Sequence, residues 1–586
     1  MNRRVTGRIA HIELIGLALL SAMPVRSVAT AATPEADTVL TNARVYTVDE
    51  AQPWAEALAI RDGRIVAVGS IDAVRAHIGP STQVRDFAGR MILPGFVNAH
   101  DHPILGPTVQ MGVSLDGVLD IDEAITRIRQ FAASNQGAPI VRGHGWSPVM
   151  FGTEGPTRAA LDRAVPDRPA VLFDHDTHTV WMNSPAIRKS GIQTRARTHT
   201  ALQPYYSWTA DGEPAGAAFE PQGIYPVLDA LGWVQWPATV MDAIERSIAR
   251  APEVGITTIY DAGIMLPGRE DPVGDAFGLL QDLEREQRLP VRVTGSVIAN
   301  PGATGALVVQ ELQRLSQLRG SHLLSIRTIK VYLDGVTTYS TGQTIHPYAD
   351  GSRGLRYFED GQLDDIVSHA DREGLTVHFH VDGDGAARQA LDSLGRVRAA
   401  NGGALKGRHT LCHLTLVDPA DIPRFAEMNV TVNTTPVWMS NVDGWFDHME
   451  RLLPKTTVQQ AFPLRALLQH GTRITFGSDV PSSSLEDMAP LRQIQYAVTR
   501  RPIEASGRPY GPLLPGVLTV AEAVRAYTLA AAYQLGIDDQ VGSIEVGKLA
   551  DLTVLGRDLF AEPLQTLHTV PIVLTMLEGR VTFDAR

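Results

Sequence analysis

The residues best suited to chemistry in this chain are imidazoles, carboxylates and one lysine, set at the ends of short apolar runs. The first group closes the run Leu93-Pro94-Gly95-Phe96-Val97-Asn98-Ala99-His100-Asp101-His102. In an extended chain residues two apart point the same way, so His100 and His102 can aim at one metal ion from the C-terminal end of a strand. One His-x-His is weak by itself, since 18 histidines in 586 residues produce about half of one such pair by accident. Three later runs strengthen it: Thr376-Val377-His378-Phe379-His380, Thr410-Leu411-Cys412-His413 and Thr475-Phe476-Gly477-Ser478-Asp479 each end in a metal-binding residue type. Lys330 lies inside Thr328-Ile329-Lys330-Val331-Tyr332-Leu333, where a bare buried ammonium is costly. Burial lowers an amine's pKa, and a neutral amine reacts with carbon dioxide to give a carbamate able to bridge two metals. The alternative for Lys330 is a strand-end lysine that reaches solvent.

Ligands so far apart in sequence need a scaffold that gathers strand ends. Eight β-rich runs alternate with helical stretches: Met91 to Val97, Ile256 to Asp261, Val291 to Val297, Ile326 to Leu333, Leu375 to His380, His409 to His413, Val430 to Asn433 and Ile474 to Phe476. Eight is the number that closes a TIM-type (β/α)8 barrel, and barrel enzymes keep their sites at the C-terminal strand ends. The barrel is expected over residues 91–540. Residues 105–254 are too long for one βα loop and read as a helical insertion after strand one, lying over the barrel mouth as a specificity lid. Short alternating strands punctuated by Asp62-Gly63 fill residues 37–90, and similar runs fill 541–586. These two ends are expected to combine into one small β-sandwich.

Composition narrows the partners. The chain is 44% hydrophobic and 20% charged with net charge −12, an ordinary globular balance without the basic footprint of a nucleic-acid binder. Small neutral or cationic ligands suit it better. Cys412 is the only cysteine, so an intrachain disulfide and a cysteine-based structural zinc site are excluded, and any metal falls to His, carboxylate or modified Lys. At the N-terminus Arg3, Arg4 and Arg8 precede the apolar run Leu14 to Ala22, followed by Ala29-Thr30-Ala31. That pattern predicts a signal peptide over residues 1–31 and a periplasmic or secreted mature protein without stable membrane association. The alternative is an uncleaved anchor.

The motifs together resemble the amidohydrolase superfamily, in the group typified by N-substituted formamide deformylase. The resemblance rests on Pro94 to His102, Asp176-Thr177-His178-Thr179-Val180-Trp181-Met182-Asn183-Ser184, Asp211 to Gly216, Gly255-Ile256-Thr257-Thr258, Lys330 with Asp334-Gly335, His380 with Gly383-Asp384, His413, Gly477-Ser478-Asp479, and Gly542 to Asp551. It covers nearly the whole mature chain. It implies one or two divalent ions, zinc first among the candidates. His100, His102 and Asp479 would bind one, His380 and His413 a second, and carboxylated Lys330 would bridge them. His378 shares a strand face with His380 and stays an alternative, although His380 keeps the family's spacing to Gly383-Asp384. Departures are Cys412, where Glu usually precedes the histidine, and Thr435-Pro436, where Gln-Pro is common.

The implied activity is hydrolysis of a non-peptide C–N bond (amide, formamide, cyclic amide or urea) by a metal-activated hydroxide, with Asp479 shuttling the proton. Ester, lactone or phosphotriester hydrolysis on the same centre is the rival chemistry, and a non-catalytic periplasmic binding protein the rival class. His178 matches a family position and is a candidate substrate contact, with a purely structural histidine as the alternative. His144 and Trp146 are candidates for the pocket wall, with simple packing as the alternative for Trp146. A homo-oligomer is compatible with everything in the chain.

Overall fold

The apolar run Met91 to Val97, expected to form one barrel strand, divides at Gly95. The computed structural model describes residues 35–585 apart from 153–154, 234–237, 265–270, 318–320 and 504–516, so the expected signal peptide lies outside the described residues. Met91–Pro94 pairs with Arg44–Tyr46 and Leu552–Leu555, whereas Phe96–Asp101 pairs with the barrel strand Ile256–Asp261. Gly95 donates its N–H to the Asp551 carbonyl at 2.8 Å, and a Cβ there would sit 2.4 Å from the Thr257 side chain. The first barrel strand therefore begins at Phe96 rather than at Met91.

Eight parallel strands form the central sheet in chain order. After Phe96–Asp101 come Ile256–Asp261, Arg292–Ala299, Leu324–Tyr332, Thr376–Val381, Thr410–His413, Thr431–Thr434 and Ile474–Phe476. Most of their residues are buried, polar ones included, as in strands covered on both faces. The last and first strands meet without a regular ladder. The Asp479 N–H reaches the His100 carbonyl at 2.9 Å, Ser478 N–H reaches Asn98 Oδ1 at 3.0 Å, and Val480 N–H reaches Asp101 Oδ1 at 2.8 Å. The barrel is thus drawn together at its C-terminal end, beside the candidate ligands.

The two chain ends combine as expected. A four-stranded sheet ordered Arg64–Gly69, Ala57–Arg61, Thr38–Thr41, Gln83–Asp86 faces a six-stranded sheet that takes strands from both termini. Leu40, Leu58 and Ile60 pack against Ile92, Leu552 and Leu574 between them. Buried Arg292, from the third barrel strand, bonds Asp551 at 2.6 Å and Glu578 at 2.8 Å, tying this unit to the barrel.

The insertion differs from the all-helical lid expected. It contains helices, among them Ile121–Ser134, which Asp120 caps at the Glu123 N–H and which buries Ala124, Ile125, Ile128 and Ala132 on one face; that spacing is the 3.6-residue period of an amphipathic helix. It is nevertheless built on a mixed sheet of six strands, with Val141–Trp146, Ala170–Asp174 and Thr179–Met182 adjacent in it. Among the described residues no helix is long and apolar enough to cross a membrane.

Candidate metal centre

Seven of the nominated side chains line one pocket at the C-terminal strand ends: His100, His102, His178, Lys330, His380, His413 and Asp479. All but His178 come from barrel strands or, for His102 and Asp479, from one and three residues beyond a strand end, so the barrel gathers them. Gly477 keeps the eighth strand close to the first, since a Cβ there would lie 2.4 Å from the His100 carbonyl oxygen.

His100, His102 and His380 each have a partner behind the ring. The Nδ1–H of His102 donates to the Gly263 carbonyl at 3.2 Å, leaving Nε2, which lies 3.3 Å from Asp479 Oδ1. His380 Nδ1 lies 3.2 Å from Asp334 Oδ1. Asp334 is in turn held by the N–H groups of Gln343, Asp382 and Gly383. Such partners fix the tautomer and ring orientation of ligating histidines. His413 Nδ1 is 3.6 Å from Asp479 Oδ2 and His100 Nε2 is 3.7 Å from Oδ1. His378 has a different place: it lies beneath His100, its Nε2 3.0 Å from His100 Nδ1, and does not line the pocket.

These groups fit a cation. The buried atoms His100 Nε2 and Asp479 Oδ1 face each other without a hydrogen-bond partner, an arrangement that costs free energy unless something completes it. The donors of His100, His102 and Asp479 all lie within 4.8 Å of one another, and so do those of His100, His378 and Cys412. Burial and the nearby Lys330 charge hold His100 well below the usual histidine pKa; burial and neighbouring positive charge do the same to His380 and His413. Neutral imidazole is the form that coordinates metal. Burial also works to lower His102, but the adjacent Asp479 carboxylate outweighs this and raises its pKa.

Lys330 is fully buried, with Nζ 3.3 Å from Cys412 Sγ and 4.8 Å from the Tyr332 ring centre. It does not run out to solvent. Cys412, which stands where the resemblance leads one to expect Glu, is therefore the neighbour of the lysine amine. Asp479 and His413 have φ of 53° and 70°, and Thr177 and Glu220 across the pocket have 62° and 58°. Left-handed backbone outside glycine is uncommon and gathers at functional sites.

His178 reaches the pocket from the insertion, its ring centre 5.2 Å from that of His380. Its Nδ1 lies 2.6 Å from Glu220 Oε2, and Glu220 Oε1 accepts from Thr341 Oγ1 at 2.8 Å. Burial pulls the His178 pKa down, but Glu220 and, less strongly, Asp174 and Asp176 push it up to about 9. No sequence signal pointed to Glu220, which lies 42 residues along the chain from its partner. Trp146 is a correction. It is fully buried in the insertion core against Phe151 and Tyr339, and its indole N–H donates to the Leu172 carbonyl. Its neighbour His144 lines an adjoining cavity.

Comparison with known proteins bears on the fold and the family. The chain is 25% identical over 563 residues to N-substituted formamide deformylase of Arthrobacter pascens, covering 94% of this chain and 98% of that protein. An uncharacterized metal-dependent hydrolase from Pyrococcus horikoshii OT3 superposes with a TM-score of 0.66 at 21% identity, over 90% of this chain and 99% of the other. A zinc-bound adenosine deaminase from Xanthomonas campestris shares the fold at a TM-score of 0.52 and 19% identity, over 94% of each chain. Residues 83–583 match the amidohydrolase family, and the chain belongs to it.

Proposed function

We propose that the protein hydrolyses a non-peptide C–N bond of a small molecule with one or two divalent ions, zinc first among them. The carrying observation is the convergence of His100 Nε2, His102 Nε2 and Asp479 Oδ1 in a buried pocket where two of these atoms have no other partner. His100, His102 and Asp479 would hold one ion, and His380 and His413 a second. Lys330, as a carbamate, would join them. A divalent ion supplies Lewis acidity and lowers the pKa of bound water from 15.7 towards about 7. Asp479 accepts the proton of the attacking water and returns it to the leaving nitrogen, which departs poorly as an anion. Charged His178, held by Glu220, is a hydrogen-bond donor for the developing carbonyl oxyanion.

The relative from Arthrobacter pascens supports a C–N bond through its name, and the family supports a small-molecule substrate. Residues 1–31 are read as an export signal, so that the mature enzyme acts in the periplasm or outside the cell; N-terminal sequencing of the mature protein tests that. For the activity, protein purified without chelator is analysed for metal and offered N-formyl, amide, cyclic imide and ureido compounds beside esters and lactones. Amine release with one to two equivalents of metal is expected. Absence of metal with no activation by added zinc, or hydrolysis of esters alone, defeats the proposal.

A further inference from the structure

Beside the histidine pocket lies a second, larger cavity that the proposed reaction has not used. The histidine pocket has a volume of about 50 Å³, room for little more than a carbonyl and its attacking water, whereas the neighbouring chamber has about 410 Å³. The larger figure falls among small-molecule sites and the smaller does not. The two share Val109, Thr177 and Ser482 as walls, and Thr177 Oγ1 lies 3.4 Å from Ser482 Oγ across the boundary between insertion and barrel. A substrate reacting at the histidines must therefore keep its bulk on the chamber side of that contact.

The chamber wall says what the bulk is. Trp438 and Trp445 form one side, with Val118, Val149 and Val442 completing an apolar surface. The Trp438 ring centre is 5.4 Å from that of His413, so the aromatic wall runs up to the proposed metal ligands. Among the described residues the lining contains no lysine or arginine. Its carboxylates are Asp116, Asp174 and Asp487. Arg492 bonds Asp487 at 2.9 Å, burial and the Asp176 charge push Asp174 up to about 7, and Asp116 keeps its place 3.7 Å from His144. Three histidines line the chamber: burial lowers the pKa of His144 and His448, and His175 Nε2 lies 2.9 Å from Asp176 Oδ1, so any positive charge on it is matched by a carboxylate. An anionic group entering here would lose its hydration and meet carboxylates, with no lysine or arginine among the described lining residues to pair with it.

We infer that this chamber binds the body of the substrate, and that the substrate is uncharged and carries an aromatic or branched apolar substituent, with only a small acyl or amide head entering the histidine pocket. Compounds bearing a carboxylate or phosphate on that substituent are rejected. The identity of the head rests on the hydrolase reading above; the chamber's preference does not.

The experiment separates the two. Benzylacetone, which has a carbonyl and an aryl group but no scissile C–N bond, and its para-carboxylate analogue are titrated calorimetrically into the metal-loaded enzyme. In parallel, N-benzylformamide and its para-carboxylate analogue are compared as substrates by kcat/KM. The neutral member of each pair should be favoured by at least about tenfold. Trp438→Ala should weaken benzylacetone binding by about tenfold, as loss of an aromatic wall does. Leu119→Lys, at a chamber residue that is 46% exposed and so tolerant of charge, should narrow the neutral-to-anionic ratio by about two- to fivefold through a partly exposed ion pair. Equal or tighter binding of the carboxylate ketone, or a ratio that Leu119→Lys leaves unmoved, overturns the inference. Selective ketone binding without any amine release would defeat the hydrolase reading while upholding the chamber, and unselective amine release would do the reverse.

Discussion

Lys330→Met is the substitution that most cleanly separates two accounts of the centre. Lys330 is fully buried, its amine has a thiol at 3.3 Å and a phenol ring at 4.8 Å, and a thiol is a weak acceptor. If the side chain were a bare ammonium, its burial would cost several kcal/mol that these neighbours repay only in part. A methionine of similar volume would then be neutral or stabilising. If the side chain is a carbamate joining two ions, methionine removes both bridging oxygens. Orienting partners of metal ligands alone are worth 10- to 100-fold in affinity, so a loss of at least about 100-fold is expected for the bridge itself. Enzyme formerly held at about 100 times its dissociation constant then forfeits about 2.3 kcal/mol of linked stability. With an unfolding entropy of roughly 2.1 cal/mol/K per residue over about 550 residues, Tm falls by about 2 °C. The assay is metal content by elemental analysis, with rate and Tm measured in the presence and absence of added zinc and bicarbonate. A variant with wild-type zinc, wild-type rate and an unchanged or higher Tm would refute the bridge and leave Lys330 a buried strand residue.

Asp479→Asn keeps one coordinating oxygen but cannot take a proton, so kcat should drop about 10²- to 10⁴-fold with most metal retained; near-normal kcat would move the proton-transfer role elsewhere. Glu220→Gln removes the charge and hydrogen bond that, against the downward pull of burial, contribute most to raising His178 to about 9. The charged form of His178 exists below that pKa and is lost above it, so the basic limb of kcat/KM should shift to lower pH in the variant. Superimposable pH profiles would assign His178 a structural role. Asp551→Ala breaks the buried link to Arg292 between sandwich and barrel and should cost about 3–5 kcal/mol. For a chain of this size that is a Tm fall of about 3–4 °C, and differential scanning calorimetry showing no change would make the link dispensable.

Most of the barrel was legible because its strands are apolar runs whose ends carry the only plausible ligand types. The exception is instructive. Met91 to Val97 is uniformly apolar, so nothing in its hydrophobicity marks the point where the chain leaves one sheet for another; the switch lies in the close approach of Gly95 to Thr257 and Asp551, a tertiary fact. The insertion's sheet was missed for a related reason, because its central strands Val141–Trp146 and Ala170–Asp174 pair in parallel across a long connection. Trp146 and His144, nominated together for the pocket wall, would share a face if their strand alternated regularly. A register irregularity between Gly143 and Trp146, with Gly145 at φ 83°, breaks that alternation. His144 then faces the cavity while Trp146 turns into the core. The ambiguity between His378 and His380 came from the same rule applied correctly: both do face the barrel interior, but at different depths, and depth along a strand is set by the register with Lys330 and Tyr332.

The same geometry divides labour between barrel and insertion. The proposed metal ligands stand on barrel strands or within three residues of their C-terminal ends, and sites carried by such elements are held more precisely than sites on loops. The insertion touches the centre through side-chain and loop hydrogen bonds instead: Thr177 to Ser482, Asp176 to Thr338 and Ser482, and Glu220 to Thr341. These contacts are few and local, so the lid can vary in sequence without disturbing the ligands beneath it. Loops positioned by a rigid scaffold are where binding residues accumulate. Substitutions in the insertion should therefore act chiefly on KM and substrate choice, and substitutions at the strand ends on metal content and kcat. His178 is the one nominated residue that belongs to the first group by position and to the second by its distance from His380, which is why the Glu220 contact beneath it bears on both.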